Sequence, residues 1–242
     1  MKLTIIETGQ APGAIRADWP DYPAMFETLL GPHMPALSFE TIALSQGEDL
    51  PDPAELDAIL ITGSAAGVYD DTPWMQPLFQ FIRAAAAAGT PQIGICFGHQ
   101  AVAKALGADV RKSEKGWGIG RHTYDILRRP NWMDGFTGAQ FSLGVSHQDQ
   151  VLSLAPGAEA IASSDFTRFA AIAYPDAPAI SFQGHPEFSA GFSCALYRVR
   201  RGSALPAAMV YQACADLKHP IDNDLVGRWM ALFLKQSQHK PG

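Results

Sequence analysis

Short apolar runs punctuate the first half of the chain, each bounded by Gly, Pro, Asp or other polar residues. They are Leu3 to Glu7, Phe39 to Leu44, Leu56 to Thr62 and Gln92 to Ile95. The runs are nearly continuous instead of alternating, the pattern of strands buried on both faces. Between them the period changes to that of a helix. Tyr22 to Leu30 reads as a short helix ended by Gly31-Pro32. Trp74 to Ala88 reads as a longer one, with Pro73 suited to its first turn and Gly89 to its end. Phe97 to Leu106 carries Val102 and Leu106 at helical spacing and is closed by Gly107. Gly9 to Pro23 and Gln46 to Pro53 are polar and turn-forming. Apolar strands followed by helices predict an α/β fold, with a mostly parallel central sheet covered by helices on both faces.

Beyond Gly107 the pattern shifts. Gly118 to Leu127, Gln140 to Ser146, Val151 to Leu154, Ala158 to Ala162, Phe169 to Tyr174 and Ala179 to Phe182 are short strand candidates separated by turn residues. This block is expected to extend the sheet with an antiparallel edge. Three helices, Phe192 to Arg201, Leu205 to Lys218 and Leu225 to Gln236, close the chain, with Pro206 in the first turn of the second. With 242 residues, no internal repeat and no long linker, one domain over 1–242 is expected, its core spanning 1–190 and its helical extension 191–242.

Composition narrows the functional classes only a little. The chain is 47% hydrophobic and 17% charged, and its net charge is -6. That balance argues against nucleic acid as a partner, which usually leaves a basic footprint. The basic run Arg198-Val199-Arg200-Arg201 fits a solvated helix face better than a binding patch. Cys96, Cys194 and Cys214 are too few for a disulfide framework, so a reducing, cytoplasmic setting is expected. No secretory signal is read at the start, and no run approaches the roughly 20 apolar residues of a membrane span.

One stretch concentrates the candidate chemistry. Gln92-Ile93-Gly94-Ile95-Cys96-Phe97-Gly98-His99-Gln100 places a cysteine where a buried strand turns into a helix, with glycine two residues to either side. Such a turn crowds the backbone, and it aims the following amides and the positive end of the helix at the sulfur. A plain buried cysteine explains the local pattern equally well. Upstream, the loop Gly63-Ser64-Ala65-Ala66-Gly67 offers amides at a strand end, for an oxyanion, a phosphate or an ordinary turn; without a following Gly-Lys-Ser/Thr a nucleotide loop is not expected.

A thiol of ordinary pKa, about 8.5, needs a basic partner to act as a nucleophile at neutral pH. Of seven histidines, His33, His219 and His239 lie in polar segments and are expected at the surface. His122 sits in an alternating strand. His99 follows the cysteine on one helix and is expected to lie along its flank. The best candidate is His185, in Phe182-Gln183-Gly184-His185-Pro186-Glu187, at the end of an apolar strand. Glu187, two residues on, would share its side of an extended segment and orient the imidazole. Ser146-His147-Gln148-Asp149 is a third polar cluster, read as substrate contacts. Metal ligation by His147, Asp149, His185 and Glu187 is the alternative, but no tight ligand spacing supports it, so neither metal nor cofactor is expected.

With these residues in place the chain resembles a class I (triad-type) glutamine amidotransferase. The match rests on Gly94-Ile95-Cys96-Phe97-Gly98-His99-Gln100, then Gly184-His185-Pro186-Glu187, with Thr62-Gly63-Ser64 upstream, in the family's order. It covers roughly residues 1 to 190 and implies a flavodoxin-like fold. It further implies that Cys96 attacks the γ-amide of glutamine or a γ-glutamyl compound, with His185 moving the proton, Glu187 orienting it, and the amides of Gly63 and Phe97 holding the oxyanion. Gln100, Ser146, His147 and Gln148 match positions that bind the α-groups of glutamine, although many members carry glycine near position 148. The chain carries no ATP-binding motif, which leaves two readings within the family. One is a subunit that passes ammonia to a synthetase partner. The other is a stand-alone member, similar to the glutaminase domain of GMP synthase, that cleaves γ-glutamyl peptides. The helical tail could cap the domain or form a homo-oligomer surface. Outside that reading stand a binding or regulatory module without turnover, and a related cysteine hydrolase with its base elsewhere.

Overall fold

The computed structural model of the protein describes residues 1–238. Among them, nine strands form one sheet in the order β2-β1-β3-β4-β11-β10-β9-β6-β7. The parallel half contains β1 (Lys2–Ile6), β2 (Ser38–Ile42), β3 (Ala58–Ile61), β4 (Gln92–Ile95) and β11 (Ala179–Phe182). The antiparallel half contains β6 (Gly118–Ile126), β7 (Gln140–His147), β9 (Glu159–Ser163) and β10 (Ala171–Tyr174). The expected fold class is observed: a mostly parallel centre, an antiparallel edge and a helical end.

Register is what positions the site. β11 is the last strand to join the parallel set, yet it lies beside β4, pairing Ala179 with Gln92 and Phe182 with Ile95. β3 flanks β4 on the other side, pairing Ile61 with Gly94. All three strands run the same way, so the residues just after Ile61, Ile95 and Phe182 emerge at one level. Distance along the chain is cancelled by adjacency in the sheet.

The pleat sorts the apolar residues into two layers, because successive side chains of a strand point to opposite faces. Leu3, Ile5, Leu60, Ile93 and Ile95 face α1 (Tyr22–Leu30) and α6 (Asn223–Ser237), where Phe26, Leu30, Trp229 and Met230 are buried. Ile6, Ile59 and Ile61 face α2 (Met75–Ala88) and α3 (Phe97–Ala105), against Leu78, Ile82 and Val102. The Asp21 carboxylate caps α1 by accepting the Ala24 amide at 2.8 Å. Gly89, in the left-handed region at φ 76°, terminates α2. Over the antiparallel half lie α4 (Ala190–Arg200) and α5 (Ala207–Asp216), packed on Ile119 through Tyr197 and Val210, with Leu205 of the link between them.

Several boundaries move. The second strand ends at Ile42, because Leu44 starts a tight helical turn closed by Gly47 at φ 95°. The expected strand Val151 to Leu154 is shifted to β8 (Asp149–Val151), which pairs with an unforeseen β5 (Val110–Lys112) as a separate two-stranded ribbon. Four polar or charged residues in β5 and β8, Arg111, Lys112, Asp149 and Gln150, hide both from an apolar pattern. α4 starts at Ala190, two residues early, because the Ser189 hydroxyl accepts the Phe192 amide and caps it. Pro206 caps α5 from outside, in extended conformation.

Candidate active site

The cysteine turn is sharp, and its sequence explains how it can be. Cys96 has φ 53° and ψ -101°, the single non-glycine positive φ among the described residues. Such a conformation is costly for a side chain and persists only where surroundings enforce it. Hydrogen bonds do so here: the Cys96 amide donates to Phe182 at 2.9 Å, and the Gly98 amide to Thr62 at 3.1 Å. The two glycines make the crossing feasible. A Cβ on Gly94 would sit 2.5 Å from the Gly98 carbonyl oxygen, and one on Gly98 would collide with the Ile61 carbonyl. α3 therefore leaves the sheet directly over β3 and β4, with Cys96 at its N-terminal end.

His185 reaches the same place from β11. Its amide donates to the Gly144 carbonyl at 2.9 Å, fastening the segment to β7. The Cys96 thiol and the His185 imidazole are hydrogen-bonded. His185 Nδ1 meets Glu187 Oε1 at 2.7 Å, with both side chains nearly inaccessible. The expected extended alternation is not how they meet. Pro186 and Glu187 form a turn, and the Phe188 ring stacks on the imidazole at 3.9 Å. Nδ1 on the carboxylate leaves Nε2 for the sulfur. Burial alone would depress the His185 pKa. Negative charge on Cys96 and on Glu187, with the hydrogen bonds to both, overrides it and pushes His185 up to about 10. The ring thus holds a proton across the neutral range, between the Cys96 sulfur and the Glu187 carboxyl group.

Gly63 borders the pair from the third strand end: a Cβ built there would lie 3.0 Å from His185 Cε1 and 3.7 Å from Cys96 Cβ. Among the described residues the amides of Gly63 and Phe97 have no partner in the backbone hydrogen-bond network. Two amides and a helix N-terminus beside one sulfur suit a developing oxyanion.

A cleft of ≈ 340 Å³ opens from Cys96, bounded by Ser64–Gly67, Tyr69, Gln100, Lys112, Trp117, Ser146–Asp149 and Arg200. Its size suits a small ligand. A larger groove of ≈ 890 Å³ lies away from the sulfur, between Leu44–Pro53 and α2, and no Cys, His, Lys or Arg lines it.

All four expected contact residues reach the cleft. Gln100 Nε2 donates to the Asp149 carbonyl at 3.0 Å and to Gln183 Oε1 at 3.2 Å. The Ser146 hydroxyl accepts a guanidinium N–H of Arg200 at 2.9 Å. Gln148 lines the wall, and its carbonyl accepts the Ser113 amide. His147 is a more internal residue than expected: Nδ1 donates to the Asp149 carbonyl at 3.0 Å, and the ring packs on Phe166 and His122. Burial, with His122 nearby, pushes its pKa down to about 3, so it stays neutral.

The other histidines separate from the sulfur chemistry. His99 Nδ1 is hydrogen-bonded to Ser181 Oγ at 2.8 Å inside the fold, and burial lowers it to about 3. His33 is half-buried beside Asp224 at 3.0 Å, whereas His219 is exposed; His239 lies outside the described residues. Among the described residues no three His, Cys, Asp or Glu side chains converge as a metal site. The basic run is a correction: Arg198 and Arg201 are exposed, but Arg200 turns into the cleft. Tyr69, Lys112, Trp117 and Arg200 were not foreseen, and no local motif marks them.

The sequence model of the family described as glutamine amidotransferase class-I matches residues 37–193. A glutamine amidotransferase-like protein of Schizosaccharomyces pombe is 32% identical over 193 residues, covering 78% of this chain and 75% of its own. Gamma-glutamyl peptidase 4 of Arabidopsis thaliana is 27% identical over 175 residues, covering 69% and 68%. In fold, the chain is similar to the crystal structure of a glutamine amidotransferase from Methylobacillus flagellatus, with TM-score 0.78, 22% identity and coverage of 100% and 96%.

Proposed function

Because the chain belongs to the glutamine amidotransferase class-I family, we propose that it is a cysteine-dependent hydrolase of the γ-amide of glutamine or a γ-glutamyl compound. The observation that carries this reading is the buried Cys96–His185–Glu187 chain at the C-terminal ends of β4 and β11. In it the Cys96 sulfur attacks the γ-carbonyl carbon, and the carbonyl electrons move onto oxygen, beside the Gly63 and Phe97 amides. The intermediate collapses, the carbon–nitrogen bond breaks, and the departing ammonia or amine takes the proton from His185. Water then attacks the γ-glutamyl thioester while His185 removes its proton. γ-Carboxylate and free thiol are released, and no redox partner is needed.

Two features favour a γ-glutamyl substrate. The cleft is small and carries both charge signs, Arg200 and Lys112 against Asp70 and Asp149, which suits an amino acid head group. A relative named as a γ-glutamyl peptidase aligns over most of both chains. Gln100, Ser146, His147 and Gln148 are assigned to the glutamyl head, His147 through its backbone, since its ring is engaged internally.

The test is release of ammonia or amine by purified protein from L-glutamine, γ-glutamyl dipeptides and glutathione conjugates. Turnover is expected with at least one of them and none with Cys96→Ala, whose far-ultraviolet spectrum and melting should match the parent. Equal turnover by Cys96→Ala would reject the assignment.

A further inference from the structure

Arg200 stands at the last residue of α4, beyond the 37–193 segment that the family shares. Its place is unusual for the end of a surface helix. The guanidinium lies over the Trp117 ring, 5.5 Å from its centroid, and Nη1 donates to Ser146 Oγ at 2.9 Å. Both neighbours, like Arg200 itself, line the cleft that holds Cys96. Among the described residues no carboxylate forms an ion pair with it. A guanidinium has five N–H donors in a planar fork. One is committed to Ser146 and the π face rests on Trp117, which leaves further donors of the fork at the cleft wall. A carboxylate is the group such a fork engages through two parallel hydrogen bonds.

We propose that Arg200 binds the α-carboxylate of the glutamyl unit and so makes the cleft specific for substrates with that group free. The proposal rests on the reading of Cys96 as attacking a γ-glutamyl carbonyl, and it adds a contact from outside the shared segment. The neighbour it holds, Ser146, belongs to the segment assigned to the substrate head, which favours the glutamyl carboxylate over one on the leaving amine. Arg200 is a specificity residue: it leaves the sulfur, the imidazole and the oxyanion donors untouched. Its loss should weaken binding of ground state and transition state alike, raising KM more than it lowers kcat.

The experiment compares wild type with Arg200→Gln and Arg200→Lys on four substrates: L-glutamine, its α-carboxamide, and a γ-glutamyl dipeptide with a free and with an amidated C-terminus. Binding of L-glutamate and of its α-amide is measured alongside by calorimetry, so that the contact is read without turnover. For Arg200→Gln a rise in KM for L-glutamine of roughly 10- to 100-fold is expected, the effect of a lost charge-assisted hydrogen bond. The α-carboxamide should be poor for wild type and no worse for the variant. Arg200→Lys should recover part of the loss. L-Glutamate affinity should fall in parallel, and α-amide affinity should not. Three results overturn the proposal: equal loss on every substrate, a loss that follows only the C-terminal carboxylate of the dipeptide, or L-glutamate binding indifferent to Arg200. Wild type without turnover on any γ-glutamyl compound, but with Arg200-dependent L-glutamate binding, would instead remove the reaction assignment and leave the carboxylate site standing.

Discussion

Replacing Glu187 by Gln changes one oxygen for one nitrogen and should disable most of the site. The side chain stays nearly isosteric and remains within reach of His185 Nδ1, which it now meets at 2.7 Å. What disappears is a negative charge against a fully enclosed ring. His185 rises from 6.5 to about 10, a shift of 10 − 6.5 = 3.5, through Cys96 and Glu187 acting together against burial. An opposite charge in contact is worth roughly 1–3 of those pH units. The variant's imidazole should therefore titrate at lower pH than that of wild type. His185 must carry its proton to release the leaving amine, so the wild-type rate should decline only as pH rises through about 10, and the variant's alkaline limb should move to lower pH. The carboxamide also no longer enforces the tautomer with Nδ1–H, so kcat should fall by roughly 10²–10⁴-fold at neutral pH. Steady-state kinetics from pH 6 to 10.5, with the His185 Cε1–H resonance followed by NMR, measure both effects. A variant within twofold of wild type, with an unmoved alkaline limb, would refute the claim that the Glu187 charge sustains the imidazolium.

Gly98→Ala puts a methyl group against the Ile61 carbonyl, so the elbow must shift; a stability loss of roughly 1–3 kcal/mol by urea unfolding, with near-complete loss of activity, is expected, and wild-type stability would contradict the clash. Tyr197→Phe removes a buried hydroxyl that donates to the Val145 carbonyl and accepts the Gly120 amide. Two backbone groups are left unpaired, and denaturation should report about 1–3 kcal/mol of lost stability, while an unchanged midpoint would argue against the bridge. A chloroketone analogue of glutamine should modify Cys96 first by peptide mass mapping. Cys194 should lag, because burial and the hydrogen bond with Cys214 push its thiol up to about 12; preferential Cys194 labelling would count against that order.

Local pattern carried the centre of this molecule and lost its periphery for identifiable reasons. β1, β3, β4 and β11 are buried on both faces, so each reads as an apolar run, and their order places Cys96 and His185 at one sheet end. The flanking glycines of Cys96 signal the elbow because backbone contact leaves no alternative. β5 and β8 escape because each is three residues long and contributes one buried apolar side chain, Val110 or Val151, beside polar or charged neighbours. His185 and Glu187 meet through a proline turn, which spacing alone does not distinguish from a strand. Arg200 was misjudged as solvated. Its neighbours are Ser146 and Trp117, 54 and 83 residues upstream (200 − 146 and 200 − 117), and nothing in Arg198–Arg201 encodes which arginine turns inward.

The most direct measurement quenches the protein in acid during steady turnover of its best γ-glutamyl substrate and maps the acylated residue by mass spectrometry. One γ-glutamyl group is expected on the peptide containing Cys96, lost on treatment with hydroxylamine and absent from Cys96→Ala. Continued turnover with the acyl group on Cys194 or Cys214, or with no covalent intermediate under conditions that trap thioesters, would contradict it.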